Sequence, residues 1–139
     1  MTPFHLAIPV ANLEVCRQFY KEVLGCQEGR SDANWVDLNF FGHQLVIHQK
    51  AGMVINKNPV SNAVDGHQVP VPHFGVVLDW NDWITLSNTL QEKNIKFVIQ
   101  PYIRFKGEVG EQATMFFYDP ENNALEFKAF KNIDQLFAK

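Results

Sequence analysis

Cysteine is scarce: Cys16 and Cys26 are the two thiols in 139 residues. That is too few for a disulfide scaffold, and no basic-then-apolar leader precedes the first apolar run, which together point to the reducing cytoplasm. An excess of one charge is also lacking. Lys+Arg number 12 against 15 Asp+Glu, a net charge of -3, so nothing marks the chain as a binder of nucleic-acid phosphates. No run approaches the roughly 20 apolar residues that cross a bilayer, and no lipidation motif is present, which speaks against a membrane role. A glycine-rich phosphate loop and a G-x-S-x-G nucleophile turn are missing as well, and neither cysteine has a histidine near it in sequence to activate it.

What is there is an ordinary apolar fraction of 46% and an unusual 12 Phe, enough to build one domain over 1–139. Residues 4–10 read as a strand, followed by Asn12 as an N-cap and a helix with Leu13, Cys16, Phe19 or Tyr20, Val23 and Leu24 on its buried stripe, ending at Gly25. Three extended pieces follow, 26–30, 34–40 and 43–48. Residues 51–72, rich in Asn, Gly and Pro, read as a long loop or crossover, with His67 exposed. Then strand (73–78), helix (striped by Trp80, Trp83, Ile84, Ser87 and Leu90) and three more strands (97–102, 112–118, 124–130) repeat the first order. His5 aligns with His73 at an offset of 73 − 5 = 68, and Val46 aligns with Glu126 at 126 − 46 = 80. The fold class expected is therefore α+β: two tandem βαβββ modules (1–50 and 73–130, with 131–139 as a tail) forming a curved, open-barrel mixed sheet with the helices outside.

Strand alternation sorts the residues by face. Leu6, Ile8 and Val10, then Phe74, Val76 and Leu78, then Leu125, Phe127 and Ala129 make apolar sets suited to lie under helices. His5, His73 and Glu126 fall on the opposite face, with Lys128 beside the glutamate. Two imidazoles and one carboxylate make a facial triad, which holds a divalent metal and leaves positions open for oxygen and substrate.

The segments 4–13 (FHLAIPVANL), 19–25 (FYKEVLG), 71–75 (VPHFG) and 117–126 (FYDPENNALE) together resemble the vicinal-oxygen-chelate proteins, the superfamily of glyoxalase I, fosfomycin and bleomycin resistance proteins and extradiol dioxygenases. The resemblance spans nearly the whole chain and implies an open barrel of two modules around a metal. Glyoxalase-like members usually carry a carboxylate in the last strand of both modules; here Val46 stands at the position matching Glu126. The remaining set, His5, His73 and Glu126, resembles the small extradiol dioxygenases, which implies Fe(II) as cofactor, with Mn(II), Zn(II) or Ni(II) as other divalent candidates. It also implies a small, aromatic vicinal-oxygen substrate and a homodimer. A lyase or isomerase of glyoxalase type and a non-catalytic small-molecule-binding protein are the alternative functions within the same fold.

Around the open metal positions, His48 and Tyr118 are the candidate acid–base residues. Tyr102, Arg104, Phe105 and Lys106, at the insertion that lengthens the second module, are the candidate substrate contacts, Arg104 as a two-pronged clamp for a carboxylate. Phe19, Phe74 and Phe127 are expected between helix and sheet, and Phe105 with Phe116 or Phe117 along a pocket.

Overall fold

A computed structural model describes residues 2–55 and 60–139. The first unit comprises Met1–Asn58 together with Asp119–Asn122, and the second comprises Pro59–Tyr118 and Asn123–Lys139. In the first, β1 (His5–Val10) leads through α1 (Leu13–Gln18) to β2 (Gln27–Asp32), β3 (Trp35–Phe40) and β4 (His43–Gln49). In the second, β5 (Val60–Val64) and β6 (His67–Val71) form a hairpin, followed by β7 (His73–Leu78), α2 (Trp80–Glu92), β8 (Phe97–Arg104), β9 (Gln112–Tyr118) and β10 (Ala124–Phe130).

Both four-stranded sheets have the same plan, β1-β4-β3-β2 and β7-β10-β9-β8. Each is mixed, because the module's first strand pairs in parallel with its last. The α+β class and the tandem βαβββ modules are thus as expected. Ala7 pairs with Val46 and Gly75 with Glu126, so Val46 and Glu126 occupy the same register position in their respective sheets.

Local chemistry accounts for the helices. Asn12 Oδ1 accepts from the Val15 amide at 3.1 Å, the N-cap bond its short side chain predicts. After α1 the chain widens into a π-helical turn over Phe19–Val23. The wider turn carries Tyr20, and not Phe19, fully into the core. Gly25 then takes a φ of 70°. In α2 the buried positions are Trp83, Ser87 and Leu90, whereas Ile84 is exposed. The Trp83 indole N–H donates to the Phe127 carbonyl at 2.8 Å, seating the helix on β10.

Two expectations need correction. The stretch 51–72, read as loop, holds the β5–β6 hairpin, although 56–59 lie outside the described residues. Its turn is Asp65-Gly66, with φ of 49° and 75°. This Asp-Gly pair suits a tight hairpin, and the flanking Asn and Pro residues obscured the strands it joins. His67, read as exposed, is half-buried, its ring 4.7 Å from that of Tyr102.

The phenylalanines divide by strand parity. Phe127 and Phe117 stack at 5.8 Å on the helix side of the second sheet, so Phe117 is excluded from a pocket on the other face. Phe116 lies on that other face, opposite Glu126. Phe19 and Phe74 are half-buried, and Phe105 is exposed. No helix among the described residues is long and apolar enough to cross a membrane.

Candidate functional site

The face of the second sheet away from α2 is assembled in rows. His73, Ala124 and Tyr118 form one row, then Gly75, Glu126 and Phe116, then Val77, Lys128, Thr114 and Tyr102, and last Phe130, Gln112 and Arg104. Alternation thus carries eight polar side chains, among them His73, Glu126, Tyr102 and Arg104, to one side of a sheet whose other side is apolar.

His73 and Glu126 meet there, with Nε2 to Oε2 at 3.1 Å. The other ring nitrogen, Nδ1, lies 2.7 Å from the carbonyl oxygen of Pro70 on β6. A carbonyl only accepts, so Nδ1 carries a proton and donates it. In a neutral ring Nε2 then presents its lone pair to an ionised carboxylate, and two lone pairs do not rest at this distance without a proton or a cation between them. This is the arrangement in which an outer oxygen sets the tautomer of a metal-ligating histidine. Glu126 is prepared as well: the Thr114 hydroxyl donates to Oε1 at 2.7 Å, and Lys128 Nζ lies 3.6 Å from the same oxygen. Oε2 is left for His73. The ring of Phe116 meets the His73 ring edge-on at 5.1 Å and shields that side.

A glycine makes this approach feasible. A Cβ built on Gly75 would stand 1.6 Å from the backbone oxygen of Glu126 and 2.6 Å from its carbonyl carbon. At the matching place in the first sheet the residue is Ala7.

The first sheet has a similar histidine. His5 Nδ1 lies 2.8 Å from Gln44 Oε1, so an N–H there leaves Nε2 as the acceptor. His48 is exposed on β4, across from Pro9 and Trp35 and two residues beyond Val46 on the same face. An open cleft of about 570 Å³ in the first unit is lined by Gln27, Arg30, Asp37, Asn39, His43 and Gln44 among others, and by neither His5 nor His48. It includes neither His73 nor Glu126, and the chemistry described above, not the size of the hollow, identifies the candidate site.

Among the described residues, no three or more His, Cys, Asp and Glu side chains are gathered so as to hold a metal ion. The second unit contributes His73 and Glu126 as a pair, and His5 and His48 belong to the first. The donors of the pair fit a divalent ion in type, tautomer and outer-sphere support.

Of the candidate substrate contacts, Tyr102 and Arg104 lie on β8 on the same face as Glu126, Arg104 being the last residue of the strand. Burial pushes the Tyr102 hydroxyl up from its usual range; Arg104 opposes this, and the carboxylates of Asp65 and Glu126 add to it. The phenol therefore stays a hydrogen-bond donor at neutral pH. Phe105 lies beneath the Arg104 guanidinium, 4.9 Å from ring centroid to Cζ, and Lys106 is exposed in the turn that follows. Tyr118 is half-buried at the end of β9, in the His73 row. Thr114, Pro70 and Asp65 were missed in the sequence. Thr114 had a signal, being the polar residue within the apolar middle of the strand, between Ala113 and Met115, where it faces Lys128.

Comparison with known proteins gives one consistent picture. The profile of the Glyoxalase/Bleomycin resistance protein/Dioxygenase superfamily matches residues 2–127. A glyoxalase/bleomycin resistance protein/dioxygenase from Alicyclobacillus acidocaldarius is 30% identical, with 98% of this chain and 96% of that one covered and a TM-score of 0.77. The fosfomycin resistance protein FosX from Listeria monocytogenes shares the fold at 14% identity, with 97% of each chain covered and a TM-score of 0.65. So does a lactoylglutathione lyase from Agrobacterium tumefaciens, at 13% identity, 99% and 97% coverage and a TM-score of 0.64. No curated protein matches the sequence.

Proposed function

Because the chain belongs to the glyoxalase/bleomycin resistance protein/dioxygenase superfamily, we propose that it is a divalent-metal enzyme of extradiol-dioxygenase type acting on a small vicinal-oxygen substrate. His73 and Glu126, with His5 as third ligand, would hold the ion, iron(II) before manganese, zinc or nickel. The reading is carried by the His73 Nε2 to Glu126 Oε2 approach of 3.1 Å, with Nδ1 committed to the Pro70 carbonyl. Val46 at the matching register position supports a single carboxylate ligand, and so a facial triad in preference to the four-ligand lyase pattern.

Bound there, such an ion supplies Lewis acidity and, as iron(II), electrons for dioxygen chemistry. The protein's own groups do the rest. The Pro70 carbonyl keeps the His73 proton on Nδ1, and Thr114 and Lys128 hold Glu126 Oε1 so that Oε2 remains oriented. The Tyr102 hydroxyl donates to negative charge on the substrate. His48 and Tyr118 serve as the acid–base pair, and Arg104, Phe105 and Lys106 contact the substrate. The enzyme works in the cytoplasm as a homodimer.

Anaerobic reconstitution with Fe(II), Mn(II), Zn(II) or Ni(II), followed by metal quantification, tests this reading. Stoichiometric metal in the wild type and its loss in Glu126→Ala are expected; near-zero metal in both refutes the site. Oxygen consumption with a panel of catechols then separates a dioxygenase from a lyase, since the latter consumes none.

A further inference from the structure

The tip of the β5–β6 hairpin reaches the far end of the same sheet face. Asp65 Oδ2 lies 2.5 Å from Arg104 Nη2. Arg104 Nε, on the same edge of the guanidinium, is buried and makes no hydrogen bond. The Nε and Nη2 hydrogens point in parallel and together form the fork that takes both oxygens of a carboxylate. Asp65 engages one prong of it. The buried donor left over costs free energy that a two-pronged ligand would recover.

Two further features mark this edge. Phe105 adopts a φ of 52°, a left-handed conformation that a large side chain rarely takes, and its ring lies under the guanidinium. Strain of about 1–3 kcal/mol is retained at such a position only where surrounding contacts impose it. The part of the hairpin that brings Asp65 is weakly held, every residue of β5 being exposed, so its tip can be displaced at small cost. The ring contact of His67 with Tyr102 is the other contact of the hairpin with β8 described above.

We propose that the Nε–Nη2 edge of Arg104 is a carboxylate subsite, which Asp65 occupies as an internal stand-in until the substrate's carboxylate displaces it and lifts the hairpin tip. The inference rests on the metal-centre reading for the other end of the substrate. Arg104 lies opposite Gln112 and Phe130, four residues along β10 from Glu126 and two strands across. At about 3.3 Å per residue and about 4.8 Å per strand, the two Cα positions are about 16 Å apart. Even with both side chains leaning inward, the carboxylate bound at Arg104 is several bonds removed from the oxygens at Glu126. The substrate class is therefore a vicinal-oxygen compound with a carboxylate on a side arm; a 2-hydroxy or 2-keto acid, whose carboxylate adjoins the chelating oxygen, does not span the gap.

The test uses the full chain without added metal, with phenylpropanoate and phenylpropanamide as probes and the Gly66 backbone amide followed by NMR. The carboxylate is expected to bind about tenfold more tightly than the amide and to move the Gly66 resonance. Asp65→Asn, which keeps a residue tolerant of positive φ, should strengthen carboxylate binding about fivefold, the scale of one partly exposed ion pair. Arg104→Gln should erase the difference between the probes. Equal binding of both probes to the wild type, or unchanged carboxylate affinity in Asp65→Asn, overturns the proposal. Neither measurement needs a metal ion, so this result and the reconstitution result fail independently.

Discussion

Replacing Gly75 with alanine adds a single methyl group where the β7 backbone lies directly against that of β10. The new Cβ would lie 1.6 Å from the Glu126 backbone oxygen. Relief to about 3.0 Å, the inner limit for such a contact, requires a shift of about 3.0 − 1.6 = 1.4 Å, and the obstacle is backbone, not the end of a flexible side chain. Overpacking ordinarily costs about 1–3 kcal/mol. Here the displaced group is part of the parallel ladder that aligns Gly75 with Glu126, so the upper end, about 3 kcal/mol, is expected. For a chain of this length that corresponds to a fall of roughly 10 °C in Tm. Urea and thermal denaturation followed by circular dichroism measure it. Ala7→Gly, at the matching place in the first sheet, is the control: it removes a methyl group that is already accommodated and should cost about 1 kcal/mol or less. If Gly75→Ala unfolds within about 0.5 kcal/mol of the wild type, the close approach that positions Glu126 against His73 is not what holds those strands, and the reasoning fails.

Two further outcomes concern the first unit. The Tyr20 hydroxyl, 0% exposed, donates to Asp119 Oδ2 at 2.8 Å. Tyr20→Phe should therefore cost about 1.5–3 kcal/mol in urea denaturation. Burial first, then the Asp119 charge and hydrogen bond, raises the Tyr20 hydroxyl well above its usual range. A group raised on folding contributes stability that is complete below its unfolded value and is lost as pH climbs toward the folded one. The wild type should accordingly lose stability above about pH 10, and the variant should lack that component. Burial likewise moves the Cys16 and Cys26 thiols from 9.0 to about 12. Native protein at pH 8 should resist a thiol-reactive disulfide reagent and react promptly in urea. Rapid labelling of the native chain at that pH would contradict the burial of both thiols.

How much was legible in the sequence follows from the range of each interaction. Strand alternation is local and placed His73 and Glu126 on one face without coordinates, and the repeat aligned Val46 with Glu126 as the strand registers do. The π-helical turn was hidden because a period of 3.6 cannot choose between Phe19 and Tyr20 when one residue is added to the turn. The hairpin was hidden by composition, since Asn, Gly and Pro outweighed the alternation of Val60, Asn62 and Val64. The Asp65 to Arg104 contact joins residues 104 − 65 = 39 apart, and no local pattern encodes such a pair. The sequence therefore points to Arg104 but not to its partner.

The Asp119-Pro120-Glu121-Asn122 turn connects β9 to β10, yet it is counted with the first unit. Its two carboxylates take the Tyr20 hydroxyl and the Asn12 amide, the latter at 3.0 Å. The halves of the repeat are consequently no longer interchangeable building blocks. A gene cut between residues 58 and 59 would yield a first fragment whose tyrosine and helix entry have lost their acceptors. The first half depends on four residues encoded in the second, so shuffling or transplanting the first module requires this turn to be carried along.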